Sequence, residues 1–319
     1  MPSDFKILYQ KVGYGETVQI KMDIARLNTH SKIEVPIIVS RGHTDGPCLL
    51  LIGGIHGDET NGVEIVRQII ASGQNKPQKG TVICIPLLNV FGFLNQKREF
   101  PDGRDLNRAF PGSEKGSLAS RFAYHLMSKV IPKVDYCIDY HTGGAQRFNY
   151  SQIRIDTNDG DTLKLANVFG APFIVHSKSQ EKTFRNSMVA LGKKVLLFEG
   201  GKSLSLDKNV TKAGIQGAIN VMHHLGMRDF SSKISKPNLE PAPIVIMNSR
   251  WIRATYSGMY RSYISVGQKV EKGVKLGSIS DPFGDFEKFF RNKQEGYILN
   301  SNHSPIVIQG DALLYIGFE

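Results

Sequence analysis

Two continuous apolar runs, "PCLLLIGG" at 47–54 and "TVICIPLLN" at 81–89, constrain this chain more than any other feature. A strand without polar alternation is buried on both faces, as in sheets covered by helices on either side. The stretch between them, "GVEIVRQIIASG", carries apolar residues at helical spacing and ends at a glycine. The three pieces predict a strand, helix, strand unit. The same alternation continues downstream. "ASRFAYHLMSKVI", "DTLKLANVFG" and "KAGIQGAINVMHHLGM" read as amphipathic helices, and "VDYCIDYH" and "KKVLLFEGG" as buried strands. Before the unit, residues 17–39 alternate as antiparallel strands do. The expected fold class is α/β, a central mixed sheet flanked by helices.

The pattern changes after Met227. "SSKISKPNLEPAP" is polar with three prolines and reads as a linker over 231–243. From 244 to 319 the segments are short and divided by glycine turns. "SGMYRSYISVGQKVEKGVKLGSI" has a weaker echo in "EGYILNSNHSPIVIQGDALLYIG". A two-fold repeat of short strands predicts a small all-β barrel-sandwich domain. The segment resembles lipoyl and biotinyl carrier domains. The turn that holds the carrier lysine there reads "SDPFGD" here, with no lysine. The expected organisation is therefore an α/β domain over 1–230, with strands 1–44 packed on it, a linker, and a β domain over 244–319 with a structural or gating role.

Composition excludes several classes. No apolar stretch reaches the roughly 18–20 residues of a membrane span. "MPSDFKILYQ" lacks the apolar core of a signal peptide. Cys48, Cys84 and Cys137 each lie in or beside an apolar run, so they read as buried free thiols, and a cytoplasmic location is expected. The net charge of +11 is spread along the chain. Without a basic helix or a nucleic-acid motif, no nucleic-acid partner is expected. A basic surface that draws in small anions is. A homo-oligomer stays open.

The chemistry-bearing residue types fall at three strand exits. These are "HGDE" with His56 and Glu59, "DYHTG" with His141, and "FEGG" with Glu199. Taken singly, each has an ordinary structural reading: a helix cap, a strand-end histidine, a salt-bridge partner. Taken together, two imidazoles and one carboxylate match the protein ligands of many catalytic zinc sites, which leave a fourth position open. A second carboxylate near the open side is placed to act as a general base. Between the first and second of these exits, "KREFPDGRDLNRAFPG" holds Arg98, Arg104, Asn107 and Arg108 in a turn-rich loop. Guanidinium and amide groups suit a two-pronged carboxylate site.

In the order H-G-D-E, D-L-N-R, D-x-H-T and E-G-G, these motifs resemble the succinylglutamate desuccinylase and aspartoacylase family of the zinc carboxypeptidase clan. The resemblance covers roughly 45–225, and the C-terminal β segment resembles the extra domain of those proteins. It implies a zinc-carboxypeptidase-like fold and one zinc per chain, held by His56, Glu59 and His141. It implies Glu199 as general base, Asn107 and Arg108 as the substrate-carboxylate clamp, and an oxyanion arginine upstream of D-L-N-R. Arg98 is the first choice for that arginine and Arg104 the second. Asp139, two residues before His141, is a possible partner of that imidazole. The implied activity is hydrolysis of the amide bond of a small N-acyl amino acid. A zinc carboxypeptidase acting on short peptides is the alternative within the class. A non-catalytic zinc-binding interaction protein is the alternative outside it.

Overall fold

A computed structural model describes residues 5–26, 30, 32–234 and 242–319. Most of the expected linker, 235–241, lies outside the described residues. The chain opens with a short hairpin, β1 (Phe5–Ile7) and β2 (Gln10–Val12). The long antiparallel pair β3 (Thr17–Arg26) and β4 (Lys32–Arg41) follows, as the alternation over 17–39 predicts. Then come β5 (Thr44–Gly53), α1 (Thr60–Ala71) and β6 (Lys79–Ile85), and β5 and β6 pair in parallel.

The period of two sorts the side chains of these strands. Leu50, Ile52, Ile83 and Ile85 face one core, and Leu49, Leu51, Val82 and Cys84 face the other. Burying each leucine or isoleucine contributes about 1.5–3 kcal/mol. A polar residue at any of these positions removes that contribution, which is why these inward-facing positions are apolar.

The short helix α2 (Val90–Leu94) and the loop after it lead to α3 (Leu118–Lys129), whose first turn is capped by Ser117. β7 (Tyr136–Gly143) runs parallel to β5. β8 (Arg147–Ile155), α4 (Gly160–Phe169), β9 (Phe173–His176) and α5 (Phe184–Ala190) follow. Of these, the periodicity predicts only α4, which Asp159 caps and Gly170 ends in the left-handed conformation, φ 80°. β10 (Lys194–Lys202) and α6 (Lys208–His224) complete this part. Residues of α1, α4 and α6 fill one core, and those of α3 and α5 fill the other, so helices cover both faces of the sheet.

The remaining strands are β11 (Ile244–Ile246), β12 (Asn248–Arg253), β13 (Gly258–Ser262), β14 (Lys269–Val270), β15 (Lys275–Ser280), β16 (Glu287–Arg291), β17 (Gly296–Asn302), β18 (Ile306–Val307) and β19 (Ala312–Phe318). They do not form a detached unit. β17 pairs antiparallel with β8, so one sheet runs β12-β19-β17-β8-β10-β7-β5-β6-β4-β3. β16, β15, β13 and β18 form a separate four-stranded sheet. Leu276, Ile279, Ile298 and Leu313 lie in the core of this C-terminal part. Phe173, Val175, Ile246 and Leu299 form a small apolar junction with the α/β part.

Candidate functional site

The turn after β5 carries the first two polar groups. Gly54 sits at φ +64°, and a Cβ on Gly57 would come 1.9 Å from the backbone of Gly92. Only glycine fits a turn pressed this closely on another segment. Glu59 occupies the position just before α1, yet its side chain makes no capping hydrogen bond. Its carboxylate turns inward instead. Oε1 lies 2.7 Å from Nδ1 of His56, and Oε2 lies 2.9 Å from Nδ1 of His141. The Thr142 N–H also donates to Oε2, at 3.1 Å.

His56, Glu59 and His141 are all buried, and each offers a ligand atom within 4.8 Å of the others. Among the described residues they are the one group of three or more such residues whose ligand atoms converge. The far ring nitrogens are held from behind. Nε2 of His141 meets Asp139 at 3.0 Å and Nε2 of His56 meets Asp105 at 3.1 Å. Carboxylates behind both imidazoles leave Nδ1 of each as the inward-facing donor, an arrangement common around bound metals.

The electrostatics point the same way. Burial opposes charge on Glu59, but His56 and His141 hold its carboxyl well below the usual range. Burial also opposes a proton on His141, but Asp139 and Glu59 hold its imidazole well above the usual range. For Asp105, burial is overcome by His56 and Arg98, and its carboxyl is lowered. Three carboxylates around two imidazoles make a pocket that demands positive charge. Protons and a divalent cation compete for it, so the donor set fits zinc.

Glu199 reaches the same point from β10. In the parallel pairing of β10 with β7 it stands directly beside His141. It does not bond the histidine–glutamate cluster. Its Oε2 accepts from Nδ2 of Asn149 at 2.7 Å, and its Oε1 lies 4.0 Å from Nη1 of Arg154. Burial raises its pKa, opposed by Arg154 and His141.

The loop between α2 and α3 separates the two candidate arginines. Arg98 donates to Glu59 Oε1 at 3.2 Å and to Asp105 Oδ2 at 2.9 Å, at the edge of the cluster. Arg104 pairs with Asp102 at 3.3 Å and does not line the central cavity. Asp105 accepts from the Asn107 N–H at 2.8 Å, which winds the following residues into one turn of 3-10 helix. Asn107 Oδ1 accepts from the Phe184 N–H at 2.8 Å, which leaves its Nδ2 as a donor. The Arg108 guanidinium bonds the Asn107 carbonyl at 2.7 Å and is otherwise exposed.

All seven site residues predicted from the sequence line one cavity of about 850 Å³. Others there carried no signal in the sequence. Asn149 and Arg154 sit on the unpredicted β8, and Trp251 and Asn300 come from the C-terminal strands. Asp105 lies inside D-L-N-R itself, so that motif could have found it.

The sequence profile of the succinylglutamate desuccinylase/aspartoacylase catalytic domain matches residues 45–225. The chain is 26% identical over 300 residues to N-alpha-acetyl-L-2,4-diaminobutyric acid deacetylase of Halomonas elongata, covering 89% of this chain and 85% of that one. In fold it is similar to a succinylglutamate desuccinylase/aspartoacylase from Rhodobacter sphaeroides, with TM-score 0.83, 24% identity and 95% of each chain covered. It is also similar to the product-bound ectoine utilization protein EutE (DoeB) from Ruegeria pomeroyi, with TM-score 0.82, 20% identity and 95% of each chain covered. The profile spans more than half of the chain, and the chain belongs to the succinylglutamate desuccinylase/aspartoacylase family.

Proposed function

We propose that the protein is a zinc-dependent deacylase that hydrolyses the amide bond of a small N-acyl amino acid. One observation carries this reading. A buried His, Glu, His cluster with converging donor atoms stands beside a carboxylate, Glu199, that is bonded to none of its members. A purely structural metal site has no use for such a spare base.

His56, Glu59 and His141 would hold the zinc, Asp105 and Asp139 fixing the two imidazoles. Zinc there supplies a Lewis acid that polarises a carbonyl and makes water more acidic. The chain's own residues do the rest. Arg108 and the Nδ2 of Asn107 receive the substrate's free carboxylate and set its distance from the scissile bond. Arg98 donates to the carbonyl oxygen as it gains negative charge. Glu199 takes a proton from the attacking water and returns it to the departing nitrogen, so a carboxylate and a free amine leave. Its raised pKa suits both halves of that task.

The test is a screen of acetyl, succinyl and formyl amino acids with acidic and diamino side chains, scored by release of free amine from zinc-loaded protein. The name of the Halomonas elongata relative puts Nα-acetyl-diaminobutyrate first in that screen. Release from at least one acyl amino acid supports the proposal. Release only from the C-termini of peptides overturns it.

A further inference from the structure

Glu199 is held by a chain of two amides that crosses into the C-terminal strands. Asn149 Nδ2 donates to Glu199 Oε2 at 2.7 Å, and Asn300 Nδ2 donates to Asn149 Oδ1 at 2.6 Å. Asn149 is 3% exposed and Asn300 2%. The two asparagines are directly opposed in the antiparallel pairing of β8 with β17.

Irregular pairing aims both of them. Between β10 and β8 the register shifts after Glu199: Glu199 opposes Gln152, whereas Gly201 opposes Asn149. The extra residue in β8 reverses the alternation and turns Asn149 toward Glu199. A second shift, between Ile298 and Asn300, interrupts the pairing of β17 with β19. Asn300 Oδ1 finds no hydrogen-bond partner among the described residues. A buried amide with an unpaired oxygen is less stable than an apolar side chain of the same shape, so its presence calls for a reason.

The reason lies in the two ends of the Asn149 amide. Either end can face a carboxylate sterically, but only the NH₂ end is attractive. Asn300 satisfies the oxygen of Asn149 and thereby fixes the NH₂ end on Glu199. That bond occupies Oε2 and leaves Oε1 as the oxygen free to exchange a proton. We infer that Asn149 and Asn300 form a positioning relay for Glu199, so that β17 of the C-terminal strands is part of the working site. The inference rests on the deacylase reading for its effect on turnover, but not for the relay itself.

The experiment uses the full-length, zinc-loaded protein with Asn149→Ala, Asn300→Ala and the double substitution. Each single change should lower kcat about tenfold, with KM within about twofold of wild type. The double variant should be no worse than Asn149→Ala, because Asn300 acts only through Asn149. Asn300→Asp keeps the shape but draws the NH₂ of Asn149 away from Glu199, so it should lose more than Asn300→Ala.

A second readout does not need turnover. In protein labelled with ¹³C at the glutamate carboxyls, with Glu199 assigned through Glu199→Gln, its titration midpoint should rise in Asn149→Ala and in Asn300→Ala. Asn149→Ala removes the donor that favours the ionised form, and Asn300→Ala leaves Asn149 free to turn that donor away. The charged groups around Glu199, namely Arg154, Arg185, His141, Glu59 and His56, are unchanged in these variants. The relay is overturned if the two Asn300 variants leave both kcat and the Glu199 titration as in wild type, or if the losses in the double variant multiply. Should wild type release no amine from any acyl amino acid, the deacylase reading fails and the titration alone decides the relay.

Discussion

Residues up to 234 and residues from 244 onward share one hydrogen-bonded sheet, yet they bury different polar groups. The first region buries ionisable side chains: His56, Glu59, Asp139, His141 and Arg185 among them. Among the described residues of the second region, the buried polar groups are neutral, Ser278, Asn292, Asn300 and Ser301. A buried charge is costly unless it is paired, and among the described residues buried charges of both signs occur together only in the first region. Even there the pairing differs from place to place. Arg185 donates to the Arg154 and Lys178 carbonyls, and burial and the nearby Arg154 push its pKa down to about 10. The buried carboxylates and imidazoles, the groups that can exchange protons near neutral pH, therefore lie in the first region. The second contributes a neutral hydrogen bond from Asn300 and an aromatic pair, Trp251 and Tyr315, whose ring centres stand 4.8 Å apart.

The comparison can be broken at several places, the most damaging first. His56→Ala or His141→Ala should reduce bound zinc from about one per chain to almost none, and turnover to background. Elemental analysis of the dialysed protein checks this, and full occupancy in the double variant would sink the metal assignment. Glu199→Gln should lower kcat by roughly 10²–10⁴ while zinc stays bound. Loss of zinc in that variant would make Glu199 a ligand. The same residue should set the pH dependence. A base works when deprotonated, and burial raises the pKa of Glu199. Activity should therefore be present above that raised pKa and disappear as pH falls through it, with the acid limb of kcat/KM above the ordinary glutamate range near 4.3.

Asp139→Asn leaves the ligands in place but weakens the support behind His141. Zinc affinity should fall by about 10–100-fold, read by competition with a chelator. Arg108→Lys keeps the charge and loses the planar fork, so KM should rise by about tenfold and the preference for a free carboxylate over its amide should shrink. An undiminished preference would place the carboxylate on another group. Trp251→Ala, in the second region, should change KM by about 2–10-fold with zinc content unaltered. An effect as large as that of Glu199→Gln would erase the contrast between the two regions.

Much of the site was legible because local chemistry announces it. Polar residues that follow runs such as "LLLIGG" must lie at a strand exit, since nothing in the run itself tolerates them. The helix α1 and the strands β5, β6, β7 and β10 were readable for the same reason: their periods are local. β8, β9 and α5 were not, because "RFNYSQIRI" and "FRNSMVA" have no clean period and take their form from neighbours in the sheet and core. The choice between Arg98 and Arg104 was also hidden. The two are six residues apart in one turn-rich loop, and only the folded loop shows one reaching Glu59 and the other turning back to Asp102.

What the sequence determined by itself was the order of the elements and the residue types at their ends, because hydrophobic periodicity and turn chemistry act over a few residues. It determined that His56, Glu59, His141 and Glu199 leave buried strands, and with them the kind of chemistry on offer. What only the tertiary structure decided was who stands beside whom. The register that puts Glu199 next to His141, the irregularity that aims Asn149, and the pairing that brings Asn300 to it from the C-terminal strands are all long-range. Strand pairing joins residues far apart in the chain, and a one-residue shift turns every following side chain to the opposite face. No local pattern carries that information, so it appears only when the whole sheet is assembled.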